Sequence, residues 1–134
     1  RTAAQMLWLM SSNPILRQNL APARADADRV IDQYVANYLK TGDANDLLYA
    51  FESSHDYDPG PGLEKITAPL LAINSADDII NPPELQILER EIKRVAKGRA
   101  ITLPLSDKTA GHGTHTLAAV WKTHLVALLK QTER

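Results

Sequence analysis

Hydrophobic positions recur along this chain at two different spacings, and the change between them divides it. In residues 2–12, Met6, Leu7, Leu9 and Met10 make a strongly apolar stretch at helical spacing, which predicts a helix ended by Asn13-Pro14. Residues 16–24 keep no period and read as irregular. Val30, Ile31, Tyr34, Val35 and Tyr38 then fall on one face of a second helix, which Asp26 or Asp28 can cap. Lys40-Thr41-Gly42 ends it, with a cation near the carbonyl end and a glycine to terminate. Asp43 starts a third helix, with Asp46 in its first turn and Leu47, Leu48, Ala50 and Phe51 as its buried side.

From residue 55 the pattern changes. His55-Asp56-Tyr57-Asp58-Pro59-Gly60-Pro61-Gly62 carries two prolines and two glycines, which is loop composition. Residues 69–74 form a short apolar run without polar alternation, as expected of a parallel strand covered on both faces. A helix is expected next, capped by Asn81, with Pro82 at its first position and Glu84 three residues after the cap. Leu85, Leu88, Ile92 and Val95 continue it at helical spacing, and Lys97-Gly98 closes it. Residues 100–105 read as a second strand. Residues 116–130 read as a last helix, with Leu117, Val120, Trp121, Leu125, Leu128 and Leu129 facing inward. The expected class is therefore α/β: an all-helical segment over 1–54 and a β-α-β-α segment over 55–134. Two parallel strands do not make a stable sheet by themselves. That, with Arg1 rather than Met at the first position, leads us to expect a piece of a longer protein.

Composition narrows the function classes. With 134 residues there is room for one domain with its own core. A net charge of −1 gives no electrostatic case for nucleic acid or an anionic membrane surface. The absence of cysteine removes disulfides and thiolate metal ligands and leaves the redox compartment open. No apolar run approaches the roughly 20 residues that span a bilayer. We expect no bound metal and no cofactor.

The candidate chemistry follows the two strands. Open parallel sheets place ligands beyond the carboxyl ends of their strands. Asp77 and Asp78 stand just after the first strand, and His112 after the second, between Gly111 and Gly113. Each has a plain reading, as a capping cluster beside a helix or as a loop imidazole. Together they match the later half of a Ser…Asp…His order, in which a carboxylate orients an imidazole that deprotonates a hydroxyl. None of Ser11, Ser12, Ser53, Ser54, Ser75 or Ser106 lies in a Gly-x-Ser-x-Gly turn, so the nucleophile is expected upstream of these residues. His112 and His115 also stand at a spacing that metal ligands use, with Asp77 or Asp78 as the nearby third ligand. His124, beside Trp121 in the last helix, reads as a packed or surface residue. His55-Asp56-Tyr57-Asp58 is either turn chemistry or one wall of a cleft between the helical and sheet segments.

Asn45-Asp46-Leu47-Leu48-Tyr49, Asp56-Tyr57-Asp58-Pro59, Gly62-Leu63-Glu64-Lys65-Ile66-Thr67-Ala68-Pro69, Asp78-Ile79-Ile80-Asn81-Pro82-Pro83-Glu84 and Gly111-His112 occur in this order. Together they resemble the C-terminal half of the homoserine O-acetyltransferase group of α/β-hydrolases. The resemblance covers most of residues 43–115. It implies that residues 1–54 are the lid inserted before the last strands of the core. It implies Asp78, not Asp77, as the triad acid and His112 as the base. Asp58 and neighbouring Tyr57 would border the substrate tunnel beneath the lid. The implied activity is ester hydrolysis or acyl transfer from a small acyl ester or thioester, through a seryl ester. One position departs from the group: the residue after the histidine is usually an aspartate that holds the substrate's amino group, and here it is Gly113. Losing that carboxylate turns the expectation away from homoserine. A different expectation is a non-catalytic module that pairs with a second copy through the apolar helix at 2–12.

Overall fold

A computed structural model describes residues 1–133. The chain is mixed helix and strand, broadly α/β. Four helices come first: α1 (Thr2–Met10), α2 (Pro14–Leu20), α3 (Arg24–Thr41) and α4 (Ala44–Glu52). Strand β1 (Leu70–Ser75), the short helix α5 (Ile87–Glu91), β2 (Gly98–Leu103) and α6 (Ala118–Thr132) follow. β1 and β2 pair in parallel, in register from Leu70 against Gly98 to Ser75 against Leu103. No helix among the described residues is long and apolar enough to cross a membrane.

Buried apolar side chains fall in two small clusters. Ala4 and Val35 are buried where α1 crosses α3. Beside them the Trp8 and Tyr34 rings meet at 4.7 Å, and the Arg17 guanidinium stacks 3.4 Å over the Trp8 ring. Such stacking adds to plain burial for both the aromatic pair and the cation. Val95, just before β2, and Leu103, the last residue of β2, are the buried apolar residues of the sheet segment.

Several expectations need correcting, each for a local reason. Residues 16–24 are not irregular: Pro14–Leu20 is helical, because Asn13 Oδ1 accepts the Leu16 N–H at 3.0 Å and Pro14 takes the first helical position. Asn13-Pro14 thus ends one helix and starts another. Neither Asp26 nor Asp28 caps α3, whose N-cap is Ala23; Asp26 lies in its first turn and pairs with Arg29. Asp43 does cap α4, accepting from Asn45 N–H at 2.7 Å.

The single helix expected from Asn81 to Lys97 is broken. Pro83 keeps Pro82 extended, with ψ at 124°, since a residue before proline is barred from helical geometry. A 3-10 turn at Pro83–Leu85, a left-handed Gln86 with φ at 52°, and then α5 and a further 3-10 turn at Ile92–Arg94 replace it. β2 begins two residues earlier than expected, at Gly98, and ends before Pro104. The apolar face of α4 is not buried: Phe51 is 65 % exposed, and Leu48 and Tyr49 are exposed with it. On α6, Val120, Trp121 and Leu128 are half-buried, while Leu125 and Leu129 remain exposed.

Candidate functional site

The carboxyl ends of the two strands bring the candidate residues together. The Ala76 N–H donates to Leu103 O at 2.8 Å, so the chain leaves β1 while still tied to β2. Asp78 then lies in the tight turn that follows. Its Oδ1 accepts the backbone N–H groups of Ile80 and Asn81 at 2.9 and 3.0 Å. Its Oδ2 lies 3.0 Å from His112 Nδ1. Burial pushes the Asp78 carboxyl upward, but the Asn81 N–H, the His112 imidazole and the Ile80 N–H outweigh it and hold the group below its ordinary value. Asp78 is therefore ionised at neutral pH.

An ionised carboxylate at this distance fixes the imidazole. It accepts only, so His112 Nδ1 carries the proton and donates it to Asp78. Asn81 Nδ2 also lies 3.4 Å from Nδ1, but both groups there are donors, so this is a contact and not a second bond. His112 Nε2 is left with its lone pair and no hydrogen-bond partner among the described residues. The His112 side chain is about one-third exposed and Asp78 almost fully buried, which puts the imidazole at the surface and the carboxylate behind it.

Two hydroxyls hold the loop around the histidine. Ser75 Oγ donates to Gly111 O at 3.2 Å, and Thr114 Oγ1 donates to the same oxygen at 2.7 Å. Gly111 adopts a left-handed φ of +55°, where a side chain is strained. It also lies against the turn between α1 and α2: a Cβ at 111 would fall 2.5 Å from Ser12 O, and one at Gly113 would fall 3.4 Å from Ser11 O. Gly111 thus lets the histidine loop settle on that turn, while Gly113 leaves room for an ordinary contact.

Asp77 points elsewhere. Its Oδ2 accepts from Gly111 N–H at 2.9 Å and from Asn13 Nδ2 at 2.6 Å. Burial raises its carboxyl, but the Gly111 N–H, with the Ser75, Thr109 and Asn13 side chains, prevails and keeps it below the ordinary range. The two neighbouring aspartates thus have separate tasks, one on the imidazole and one on the backbone beside it.

His112 and Asp78 line a cleft of about 1040 Å3 whose apolar wall includes Leu63, Ile80, Leu88 and Trp121. Asp58 lines it too, with Oδ1 accepting the Gly60 N–H at 2.9 Å in a tight turn. Tyr57 is not part of the lining and is 74 % exposed. All the lining residues lie between 58 and 121. The helical segment forms no wall, contrary to the expectation of a cleft between it and the sheet: its Ser11–Asn13 corner packs behind the histidine loop instead. Asn13 is the residue that sequence reasoning missed. The signal was its place before Pro14, which marks a helix cap as much as a helix end.

His115 shares the cleft lining but is oriented by other bonds. Its Nδ1 donates to His112 O at 2.6 Å, its own carbonyl accepts from Trp121 Nε1 at 3.1 Å, and its ring meets that of His112 edge-on at 5.4 Å. No group of three histidine or carboxylate side chains among the described residues is arranged to hold a metal ion. Compared with protein-family models, curated proteins and solved structures, the chain matches none.

Proposed function

We propose that this chain carries the acid and base of a serine-type acyl-transfer site, in an ester hydrolase or acyltransferase of the α/β-hydrolase kind. The observation that carries the reading is the Asp78–His112 bond, which leaves Nε2 free as a base at the edge of a largely apolar cleft. The nucleophilic hydroxyl would come from a serine outside these 134 residues. It attacks the acyl carbonyl while its proton passes to His112 Nε2. Nε2 then returns that proton to the departing alcohol or thiol, leaving a seryl ester. Water or an acceptor hydroxyl, deprotonated by the same Nε2, releases the acyl group and restores the serine. Asp78 stays ionised throughout and stabilises the imidazolium. The sequence resemblance to the homoserine O-acetyltransferase group supports the same assignment, with Gly113 removing the carboxylate that would hold a substrate's ammonium and so favouring a substrate other than homoserine.

The intact protein is expected to label with a fluorophosphonate probe. His112→Ala should abolish labelling, and Asp78→Asn should slow it by about 10³–10⁴-fold. Undiminished labelling in His112→Ala would refute the assignment.

A second reading has one observation in its favour. Met6 and Leu9, one turn apart on α1, are 57 % and 69 % exposed, an apolar pair suited to association with a second copy.

A further inference from the structure

Asn13 is fully buried, and the acyl-transfer steps give it no task. Its side chain is nonetheless the most connected polar group in the chain's interior. Oδ1 caps α2 through the Leu16 N–H at 3.0 Å. Nδ2 reaches Asp77 Oδ2 at 2.6 Å, Thr109 Oγ1 at 3.0 Å and Ser106 O at 3.1 Å. Two amide hydrogens thus serve three acceptors on two loops, one following each strand. The Asp77 oxygen that Nδ2 holds is the one that accepts from Gly111 N–H at 2.9 Å, immediately before His112. Ser12 O lies against the same glycine, so the corner that Asn13 builds also sets how closely the loop can approach.

We propose that Asn13 is a positioning residue for His112. It acts through Asp77 and Gly111, so that the helical segment holds the imidazole in place from behind the cleft. The inference rests on the reading of His112 as the base. Buried hydrogen bonds are strong in the low-dielectric interior and rigidify what they join. Here the link runs through Asp77 Oδ2 alone, since Oδ1 is buried without a hydrogen-bond partner among the described residues. A base displaced by about 1 Å loses on the order of 100-fold in rate. The polar strut and the capping bond use different atoms of one side chain, so they can be separated. Serine at position 13 still offers an oxygen to cap α2 but has no Nδ2 to bridge the loops. Asp77→Asn retains an oxygen for the Gly111 and Asn13 donors, whereas Asp77→Ala removes it.

The test compares these variants in the intact protein. The 15N–1H imidazole spectrum reports the His112 Nδ1 proton held by Asp78, with His124 on α6 as an internal reference. In Asn13→Ser and Asp77→Ala, the His112 signal should shift or exchange away while His124 stays in place. The limiting rate of fluorophosphonate labelling should fall on the order of 10–100-fold with the half-saturating probe concentration unchanged. Asp77→Asn should stay near wild type in both readouts. Unmoved His112 signals in folded Asn13→Ser and Asp77→Ala overturn the proposal, as does a moved signal with an unchanged labelling rate. If Asn13→Ser does not fold, Asp77→Ala and Asp77→Asn carry the comparison. Labelling that survives His112→Ala refutes the catalytic reading, and the spectrum still reports whether the strut exists.

Discussion

Gly111 lies so close to Ser12 that a Cβ at 111 would sit 2.5 Å from the Ser12 carbonyl oxygen. Backbone, not a flexible side chain, occupies that space, and the left-handed φ of +55° adds its own strain for any other residue. Gly111→Ala is therefore expected to destabilise the protein on the order of 1–3 kcal/mol. Gly113→Ala, with ordinary φ and a nearest contact of 3.4 Å, should change stability much less. Thermal melts of the two variants decide it, and equal shifts would contradict this account of the loop.

Stability should also depend on acid. The Asp77 and Asp78 carboxyls both lie below their ordinary value of 3.8 in the folded chain. The folded state then binds protons less readily than the unfolded one. The stabilisation is fully present above the ordinary value and is lost as pH falls through the lower, folded one. Melting temperature should hold from pH 7 to about pH 5 and decline below it. In Asp78→Asn the decline should be shallower, because the titrating group is gone. An identical acid profile in the variant would show that other carboxylates govern it.

Much of this arrangement is legible in sequence where the cause is local. The apolar run at β1, the Lys40-Thr41-Gly42 stop of α3 and the Asp43 cap of α4 depend on neighbouring residues, and each forms close to where its pattern falls. Pro82-Pro83 was local too, but its second proline bars helix at the first, and that restriction outweighs the cap signal of Asn81. Asn13 shows the other limit. Its capping bond spans three residues, whereas its bonds to Asp77 and Thr109 span 64 and 96. No periodicity encodes such pairings. Helical spacing likewise identifies the apolar face of α4 but not what covers it, and Phe51 and Leu48 are exposed.

Arg94 should govern the loop that carries Asp58. Its Nε and Nη1 donate to Glu64 and Glu91 at 2.6 and 2.7 Å, and Nη2 donates to Gly60 O at 2.7 Å. Gly60 also donates to Asp58, so the guanidinium ties the cleft rim to the Ile92–Arg94 turn. Surface ion pairs add little to global stability, so Arg94→Ala should barely move the melting temperature. Its effect should be local: faster amide exchange across residues 60–65 and a weaker hold on ligands in the cleft, with exchange around residues 111–114 unchanged. Lysine cannot reproduce the three directed bonds, so Arg94→Lys should resemble Arg94→Ala. Full recovery by lysine would reduce the contact to simple charge.

The exposed pair on α1 makes a separate prediction. Trp8 packs against Tyr34 and Arg17, leaving Met6 and Leu9 uncovered at 57 % and 69 % exposure. Apolar groups one turn apart on a helix bury well against a copy of themselves, while a carboxylate buried there without a partner is costly. If the pair drives self-association, light scattering should find a concentration-dependent dimer that Met6→Asp returns to monomer. Neither Met6 nor Leu9 lines the cleft of Asp78 and His112, so fluorophosphonate labelling should survive that substitution. A wild-type monomer throughout the concentration range would remove the association reading and leave the catalytic one standing on its own test.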